Sequence, residues 1–266
     1  MAETIGVIGG SGLYELLSDA DAVDVGTPYG PPSAAITAGT LDGKPVAFVP
    51  RHGTGHELPP HRINYRANLW ALRSLGVRQV LAPCAVGSLD PALAPGSLVV
   101  PDQVIDRTSG RDRTFYDVMG AAVHVGFADP YCARGRATVR AQGNELGLDL
   151  TDGGALVVID GPRFSTRAES RWHAAAGGRI VGMTGMPEAA LARELALCYT
   201  TIALVTDHDA GVESGTGVTQ AQVLEAFAAG LDDVRRLLSA TVGSLGSGDC
   251  ECRHALDGLK LPIELP

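Results

Sequence analysis

The chain contains few cysteines, few basic residues and no long apolar run, and each shortage excludes a class of protein. Five cysteines in 266 residues are an odd number, which argues against a disulfide framework. Lysine and arginine total 21 against 30 aspartates and glutamates, and the net charge of −9 argues against a basic nucleic-acid surface. No stretch approaches the ~18 uninterrupted apolar residues of a membrane span. Residues 1–4 lack the basic segment of a signal peptide, so we expect a cytoplasmic protein.

The rest of the composition is that of an ordinary globular protein. Hydrophobic residues make up 45% of the chain and charged residues 19%, which is typical of a folded domain. A chain of this length buries enough surface to fold without a disulfide or a metal ion. The 34 glycines predict many turns, or many places where the backbone closely approaches a ligand.

Short apolar runs alternate with helical patterns along the chain. The runs are continuous, which is typical of strands covered on both faces. We expect strands at residues 5–8, 46–49, 80–82, 156–159, 180–182 and 202–205. We expect helices at residues 65–75, 133–146, 167–176, 187–197 and 219–240. This order predicts a single α/β domain with a central, mostly parallel mixed sheet flanked by helices.

The domain is expected to span residues 1–242 and to be followed by a tail at 243–266. The tail opens with a Gly/Ser-rich run, whose composition is flexible, and then carries Cys250-Glu251-Cys252. We expect its end to pack on the domain or on a neighbouring subunit.

Two loops at predicted strand ends offer hydrogen-bond donors to an anion. Gly9-Gly10-Ser11-Gly12 follows the first strand, where backbone N–H groups and the Ser11 hydroxyl suit an anion, although a plain tight turn also fits. The spacing matches neither the dinucleotide fingerprint nor a Walker A loop. Arg51 and His52 follow the strand at 46–49, and the planar fork of Arg51 suits a phosphate or carboxylate. A surface Arg-His pair is the alternative.

Two loop histidines, one cysteine and one threonine can each be interpreted either as functional or as purely structural. His56 and His61 share a Gly/Pro-rich loop with His52, but their spacing favours loop packing or substrate contact over a metal site. Cys84 follows the strand at 80–82, and we favour an inert small hydrophobe over a nucleophile. Thr184 precedes a predicted helix, where it can cap the helix, contact a ligand or do both.

Asp207 and Asp209 end the strand predicted at 202–205. Two carboxylates two residues apart on an extended segment project in the same direction. Their repulsion raises the pKa of one of them, which places a proton donor beside an acceptor. This pair suits a ligand that presents an acceptor beside a donor. A solvated turn or a divalent-ion site is the alternative.

Taken together, these segments resemble the trimeric nucleoside phosphorylases, and most closely their 5'-methylthioadenosine phosphorylase branch. The resemblance extends from about residue 4 to residue 240 and rests on many motifs in order. They are Gly-Val-Ile-Gly-Gly-Ser-Gly-Leu at 6–13, Thr-Pro-Tyr-Gly-Pro-Pro-Ser at 27–33, Arg-His-Gly at 51–53, Asn-Tyr-Arg-Ala-Asn-Leu-Trp-Ala-Leu at 64–72, Asp-Arg-Thr at 106–108, Gly-Pro-Arg-Phe-Ser-Thr-Arg-Ala-Glu at 161–169, Met-Thr-Gly-Met-Pro-Glu at 183–188 and Thr-Asp-His-Asp at 206–209.

The resemblance implies a role for each matching position. The phosphate-binding positions would be Ser11, Arg51, His52, the backbone near Cys84 and Ala85, and the hydroxyl of Thr184. Around the nucleoside, Met183 would lie under the ribose, Phe164 would pack on the purine, and Asp207 and Asp209 would face its N7 and N6 edge. The 5' end of the sugar would lie near His56, His124 of a neighbouring subunit, Gln220, Val223 and Leu224.

The implied reaction is phosphorolysis of an N-glycosidic bond. Phosphate would attack C1' from the face opposite the base, through a cationic sugar that the phosphate dianion stabilises. Asp207, as the catalytic acid, would donate a proton to N7 of the leaving purine. Inorganic phosphate is then a co-substrate, and neither a metal nor an organic cofactor is expected. The resemblance also implies a homotrimer, alone or as a dimer of trimers, with purine salvage as its role.

Several departures keep other substrates open. The 6-oxopurine branch carries Asn where this chain has Asp207, so a 6-aminopurine is favoured. The run at 182–189 is shared with a methylthioinosine-specific branch, which keeps 6-oxopurines open. Gln220 is polar where an apolar residue is expected, and this suits a 5'-hydroxyl better than a methylthio group. Asp160 stands where the family often has Glu, and Cys250 and Cys252 resemble a tail pair of some thermophile members, either redox-active or vestigial.

The leading hypothesis is therefore cleavage of 5'-methylthioadenosine to adenine and 5-methylthioribose 1-phosphate. The alternative within the enzymes is a purine nucleoside phosphorylase acting on adenosine, 6-oxopurine nucleosides or methylthioinosine. A non-catalytic nucleoside-binding protein is the hypothesis from another class. The predicted phosphate site argues against it, because a protein that only binds nucleosides needs no phosphate.

Overall fold

Buried apolar runs of the sequence form the centre of one mixed sheet, in a computed structural model that describes residues 3–10, 13, 16–120, 122–210 and 217–266. The described residues contain eleven strands: β1 Ile5–Gly9, β2 Ser18–Val23, β3 Ile36–Leu41, β4 Lys44–Pro50, β5 Gln79–Ser88, β6 Leu98–Val100, β7 Gln103–Arg107, β8 Leu150–Asp152, β9 Ala155–Ile159, β10 Gly178–Gly182 and β11 Cys198–His208. They also contain five α-helices: α1 Tyr65–Ser74, α2 Ala133–Glu145, α3 Arg167–Ala175, α4 Gly185–Glu194 and α5 Gln220–Ser244. Short 3-10 helices lie at Pro60–Arg62 and Glu251–His254.

The sheet is mostly parallel at its centre, as the sequence predicts. β1 pairs in parallel with β4 and β5, and β5 pairs in parallel with β11 along the whole of β5. β9 is parallel to both β7 and β10. Antiparallel pairs join β2 to β3, β3 to β4, β10 to β5 and β11 to β6. Parallel strands end at the same edge of the sheet, so the segments that follow β1, β4 and β11 meet there.

Helices cover both faces of the sheet. Ile5 and Val7 of β1 pack with Leu238 of α5 in one buried apolar cluster, whereas Ile8 packs with Leu69 of α1 in another. Adjacent residues of β1 therefore point to opposite faces, and both faces are dry, which accounts for the continuous apolar runs.

Local capping determines where the helices begin. In α3 the Thr166 hydroxyl accepts the N–H of Glu169 while the Glu169 carboxylate accepts the N–H of Thr166. α5 begins with the same reciprocal arrangement between Thr219 and Gln222. α1, α2 and α3 match the predicted helices to within one residue at each end, and α4 ends at Glu194, before the predicted 197.

All six predicted strands are longer than expected, β5 and β11 most of all, and the length of β5 corrects one expectation. Cys84 and Ala85 were expected in a loop beyond a strand, but β5 continues through them to Ser88 because β11 pairs with it residue by residue. Similarly, β11 reaches His208, so Asp207 lies in the strand and Asp209 just beyond it. A register shift between Val205 and Asp207 interrupts the regular pairing there.

The tail packs on the body of the protein. α5 continues to Ser244, past the expected 240, because buried Thr241 and Val242 extend its apolar face into the core. Beyond it, the side chains of Leu261, Ile263 and Leu265 pack against the larger apolar cluster. No helix in the described part of the chain combines the length and apolar character needed to cross a membrane.

Candidate active site

A cavity of about 870 Å³ opens at the carboxyl edge of the sheet. This is the place where ligands bind in open α/β folds. Thirteen of the fifteen site residues expected from sequence line it: Arg51, His52, His56, Cys84, Ala85, Phe164, Met183, Thr184, Asp207, Asp209, Gln220, Val223 and Leu224. Ser11 lies outside the described residues, although its neighbour Gly10 lines the cavity. His124 is exposed and does not line the cavity of its own chain.

Arg51 corrects the sequence expectation of a free guanidinium fork. The side chain is buried, and its Nε and Nη2 donate to the two Glu188 carboxylate oxygens at 2.9 and 3.0 Å. Nη1 donates to the Pro83 carbonyl and Nη2 also donates to the Ile8 carbonyl. Four of the five N–H donors of a guanidinium are thus in use, which leaves one at Nη1. Arg51 therefore ties together the ends of β1 and β4, the middle of β5 and the start of α4.

His52 is a neutral imidazole at the cavity wall. Burial lowers its pKa to about 4, against the raising effect of a bond to the Leu58 carbonyl, 2.9 Å from Nδ1. A proton on Nδ1 satisfies that carbonyl, and Nε2 is then an acceptor. The ring stacks on His56, with the centroids 4.4 Å apart. His61 lies in the 3-10 helix that follows and is exposed.

The middle of β5 presents a gap in the sheet toward the cavity. On one edge β5 pairs with β11 throughout, but on the other edge β1 covers only Gln79–Leu81 and β10 covers only Gly87 and Ser88. The described strands leave residues 82–86 of that edge without a ladder partner. Cys84 and Ala85 are in this gap, so their backbone can bind a ligand. Burial raises the pKa of the Cys84 thiol to about 12, which supports the inert interpretation of its side chain.

Thr184 and Met183 form the wall contributed by the end of β10. Thr184 is buried and precedes α4, but its hydroxyl makes no capping bond to the helix. The plain capping interpretation is therefore wrong, and the hydroxyl can donate to a ligand. The Met183 carbonyl accepts from Arg111 Nη1 at 2.9 Å, and Arg111 Nη2 donates to the Asp160 carbonyl at 2.9 Å. Arg111 thereby joins the loops after β9 and β10.

Asp207 is the most perturbed carboxyl group of the cavity. Its pKa is raised to about 6, mainly by burial and further by the Asp209 carboxylate. The Thr206 hydroxyl donates to Asp207 Oδ2 at 2.8 Å, and this hydrogen bond lowers the pKa. The sequence predicts the direction of this shift but attributes it to charge repulsion, whereas burial is the larger cause. At neutral pH, Asp207 can therefore exchange a proton with a bound ligand.

Asp209 is held in place by the protein. Its Oδ2 accepts the Ser170 hydroxyl at 2.5 Å, and its backbone N–H donates to the Ser88 carbonyl at 2.9 Å. Gly87 of β5 makes room for both carboxylates, because a Cβ there would lie 2.9 Å from Asp207 Oδ1 and 3.3 Å from Asp209 Cβ. The two acids thus face the cavity across a strand that has no side chain at that point.

The remaining walls are less polar. Phe164 is half-buried on the loop after β9, and Val223 is half-buried on the first turn of α5. Gln220 begins α5 and is exposed at the rim, and Leu224 is 57% exposed. α5 therefore covers one end of the cavity incompletely.

Sequence reasoning missed two buried residues that support the site. Glu188 and Tyr199 meet at 2.7 Å, with the Tyr199 hydroxyl donating to Glu188 Oε2, so that Glu188 is held from both sides. Glu188 belongs to a motif of the resemblance, and an acid after a proline at a helix start was its only local signal. Its partner Arg51 lies 137 positions away, which no local pattern reveals.

Comparisons with known proteins agree on one family. The model of the phosphorylase superfamily matches residues 4–243. The S-methyl-5'-thioadenosine phosphorylase of Mycolicibacterium smegmatis is 57% identical over 265 residues, which cover 98% of this chain and 99% of the relative. The purine nucleoside phosphorylase of Streptomyces coelicolor is 56% identical over 272 residues, covering 98% of this chain and 97% of the relative.

A solved structure shares the fold as well. The methylthioadenosine phosphorylase of Schistosoma mansoni in complex with adenine superposes with a TM-score of 0.88 at 36% identity, and 93% of each chain is covered. Because the family model spans most of the chain and the relatives match it almost end to end, the chain belongs to the phosphorylase superfamily.

Proposed function

We propose that the chain cleaves 5'-methylthioadenosine with inorganic phosphate, releasing adenine and 5-methylthioribose 1-phosphate. The Mycolicibacterium relative and the Schistosoma structure, both named methylthioadenosine phosphorylases, support this choice. The observation that carries it is the Asp207 carboxyl, with a pKa of about 6, at the wall of the cavity beside Asp209.

The two acids complement one edge of adenine. Asp207 Oδ2 is taken by the Thr206 hydroxyl, so Oδ1 is the atom available to the ligand. A proton on Oδ1 is donated to N7 as the glycosidic bond breaks, which neutralises the departing base. Asp209 Oδ2 is taken by Ser170, and its other oxygen can accept the N6 amine. A 6-oxopurine offers an acceptor at that position and would face a carboxylate.

Phosphate is proposed to bind at the opposite wall. The Thr184 hydroxyl and the open edge of β5 at Cys84 and Ala85 supply neutral donors there. Arg51 contributes positive charge and the one N–H left at Nη1, and neutral His52 can accept the proton of a phosphate hydroxyl. Ser11 is expected to add a hydroxyl from the loop after β1. These groups hold phosphate in line with C1', where its charge stabilises the cationic sugar.

The 5' end of the sugar is proposed to lie under α5. Val223 and Leu224 offer an apolar surface for a methylthio group, with His56 on the other side. Leu224 is 57% exposed in the single chain, which leaves room for a neighbouring subunit to close the site with His124. The exposed Val118 and Met119, 52% and 96% exposed, precede His124 and support a contact there. A homotrimer is thus part of the proposal, and light scattering tests its mass.

A purine nucleoside phosphorylase is the second candidate. Gln220 at the cavity rim supports it, because its amide can pair with a 5'-hydroxyl, and the Streptomyces relative carries that name. Purine salvage fits either enzyme, and the cytoplasmic location stays a prediction.

One panel of nucleosides separates these functions. Methylthioadenosine, adenosine, methylthioinosine and inosine differ only at C5' and C6, and free base is measured for each with and without phosphate. We expect phosphate-dependent release, fastest from methylthioadenosine. Preference for the oxopurines would favour the second candidate. Release without phosphate would indicate a hydrolase, and binding without release would indicate a nucleoside-binding protein.

A further inference from the structure

Four of the five cysteines converge far from the nucleoside cavity. The sulfur atoms of Cys132, Cys198, Cys250 and Cys252 all lie within 4.8 Å of one another. Cys132, Cys198 and Cys252 are buried and Cys250 is partly exposed. The fifth cysteine, Cys84, lines the nucleoside cavity instead. We call this group the four-cysteine cluster.

The cluster joins three separate parts of the chain. Cys132 is the N-cap of α2, Cys198 is the first residue of β11, and the other two belong to the tail around the 3-10 helix Glu251–His254. Cys250 is 118 positions from Cys132 and 52 from Cys198. The sequence shows Cys250 and Cys252 as a pair in the tail. Only the folded structure shows that they lie beside the thiols of Cys132 and Cys198.

The distances suit a shared ligand at the centre of the four sulfurs. Cys198 and Cys250 are separated by 3.2 Å and Cys132 and Cys250 by 3.6 Å. A tetrahedral zinc site with Zn–S bonds of about 2.3 Å has sulfurs about 3.8 Å apart. A disulfide needs about 2.05 Å between its sulfurs, and all five cysteines are free thiols.

The surroundings favour negative charge on the sulfurs. Cys132 Sγ accepts the Gly135 N–H at 3.4 Å at the first turn of α2, where the helix dipole stabilises an anion. Arg134 Nη2 lies 3.9 Å from Cys198 Sγ, and the positive charge of Arg253 also acts on Cys198. The Nε atoms of both arginines are buried and have no hydrogen-bond partner in the described part of the chain. Arg134 and the helix N-terminus would offset part of the charge of a doubly negative centre, and Arg253, which also pairs with Glu3, adds to this.

We propose that the four-cysteine cluster binds one zinc ion that fastens the tail to the body of the enzyme. Each of the four thiols loses its proton to solvent and forms one Zn–S bond, so that Zn²⁺ and four thiolates make a centre of charge 2−. Four protein ligands fill the tetrahedron and leave no position for water or substrate, which makes the site structural and not catalytic. The phosphorolysis proposed above does not use it.

The metal content of the full-length protein tests the proposal. The protein is purified under reducing conditions without chelators, and zinc is measured by elemental mass spectrometry. We expect about one zinc ion per chain. In the Cys250→Ser/Cys252→Ser double variant we expect almost complete loss of zinc, whereas Cys84→Ser, which removes the fifth thiol, keeps it. Thiol titration of the native protein should find none of the four cluster thiols reactive, and all five cysteines should react after denaturation with EDTA.

Cobalt substitution tests the site in the wild-type chain, so the result does not depend on whether the double variant folds. The wild-type chain, stripped and reloaded with Co²⁺, should show the intense visible bands of tetrahedral cobalt and a thiolate-to-metal charge-transfer band. A reduced wild-type protein that retains no zinc and gives no such bands overturns the proposal. Fewer than five thiols after denaturation with EDTA would overturn it in favour of disulfides among the same cysteines.

Discussion

Replacing Asp207 with asparagine removes the titratable proton from the cavity and keeps the shape of the side chain. The Thr206 hydroxyl donates to Oδ2 at 2.8 Å and also reaches the Val86 carbonyl at 3.2 Å, and we expect the asparagine carbonyl to take the Oδ2 position and keep the shorter bond. The amide nitrogen then takes the place of Oδ1, which faces the cavity next to Gly87. Asparagine can donate a hydrogen bond to N7 of the purine, but it cannot transfer a proton to it.

The size of the effect follows from the charge that develops on the leaving base. Losing a group that stabilises developing charge costs about 2–4 kcal/mol in the transition state. At about 1.4 kcal/mol per tenfold change, kcat/KM for methylthioadenosine should fall by about 30- to 1000-fold. Hypoxanthine nucleosides should lose less, because the amide nitrogen donates to their O6.

The pH dependence gives the reasoning a sharper test. The acid form of Asp207 is present below its pKa of about 6, so wild-type kcat/KM should decline above that pH. Phosphate titrates in the same range, but the ratio of variant to wild-type activity removes its contribution. That ratio should rise with pH in Asp207→Asn. In Thr206→Val, which removes a hydrogen bond that lowers the Asp207 pKa, the decline should move to higher pH.

Although Asp207→Asn should lower activity, it should raise the free energy of unfolding at neutral and alkaline pH. The folded pKa of about 6 is above the unfolded value of about 3.9, so the native state binds more protons between these values and wild-type stability falls as pH rises through that window. Above pH 7, Asp207→Asn should therefore be more stable by about 1–2 kcal/mol, after allowance for partial exposure. Urea unfolding at pH 5 and pH 8 measures this. Unchanged adenine selectivity together with an unchanged pH profile would refute the assignment of Asp207 as the acid.

Three other substitutions test the rest of the cavity. Gln220→Leu should leave methylthioadenosine turnover unchanged or raise it by up to about fivefold, the equivalent of ~1 kcal/mol of apolar burial, and a large selective loss with adenosine would contradict the substrate choice. Glu188→Gln should lower the free energy of unfolding by about 3–5 kcal/mol, since it leaves Arg51 as a buried unpaired charge; a loss below 1 kcal/mol by denaturant titration would contradict this. Gly87→Ala should cost more free energy in the transition state, calculated from kcat/KM, than in the free energy of unfolding, because its Cβ displaces the Asp207 carboxylate. Equal losses in the two free energies would point to a general packing defect.

The helices could be predicted because their signals are local. The Thr166–Glu169 and Thr219–Gln222 capping boxes are four-residue patterns, and the apolar spacing that follows each lies within the same helix. Five strands escaped prediction for the opposite reason: β2, β3, β6, β7 and β8. β2 is exposed along nearly its whole length, β3 and β7 are mostly half-buried, and β6 and β8 have three residues each, so none of them carries a long apolar run.

The extent of β5 and β11 could not be predicted from their own residues. Cys84 and Ala85 have no strand signal, and β5 continues through them because β11 lies alongside. The consequence for the site is direct, since the gap in the sheet arises where β1 stops and β10 has not yet begun. Pairing between distant strands thus creates the feature that the sequence places in a loop.

Arg51 and Asp207 show how far residue type and strand position carry a functional prediction. Both were expected at this edge of the sheet and both line the cavity, because strand ends converge whatever the side chains are. What each group can do depends on its surroundings. Glu188 and the carbonyls of Pro83 and Ile8 occupy the fork of Arg51 and leave it one free donor. Burial, more than its acidic neighbour, keeps Asp207 able to hold a proton. The position of a reactive group follows from topology, but its protonation and free hydrogen bonds follow from the residues that fold against it.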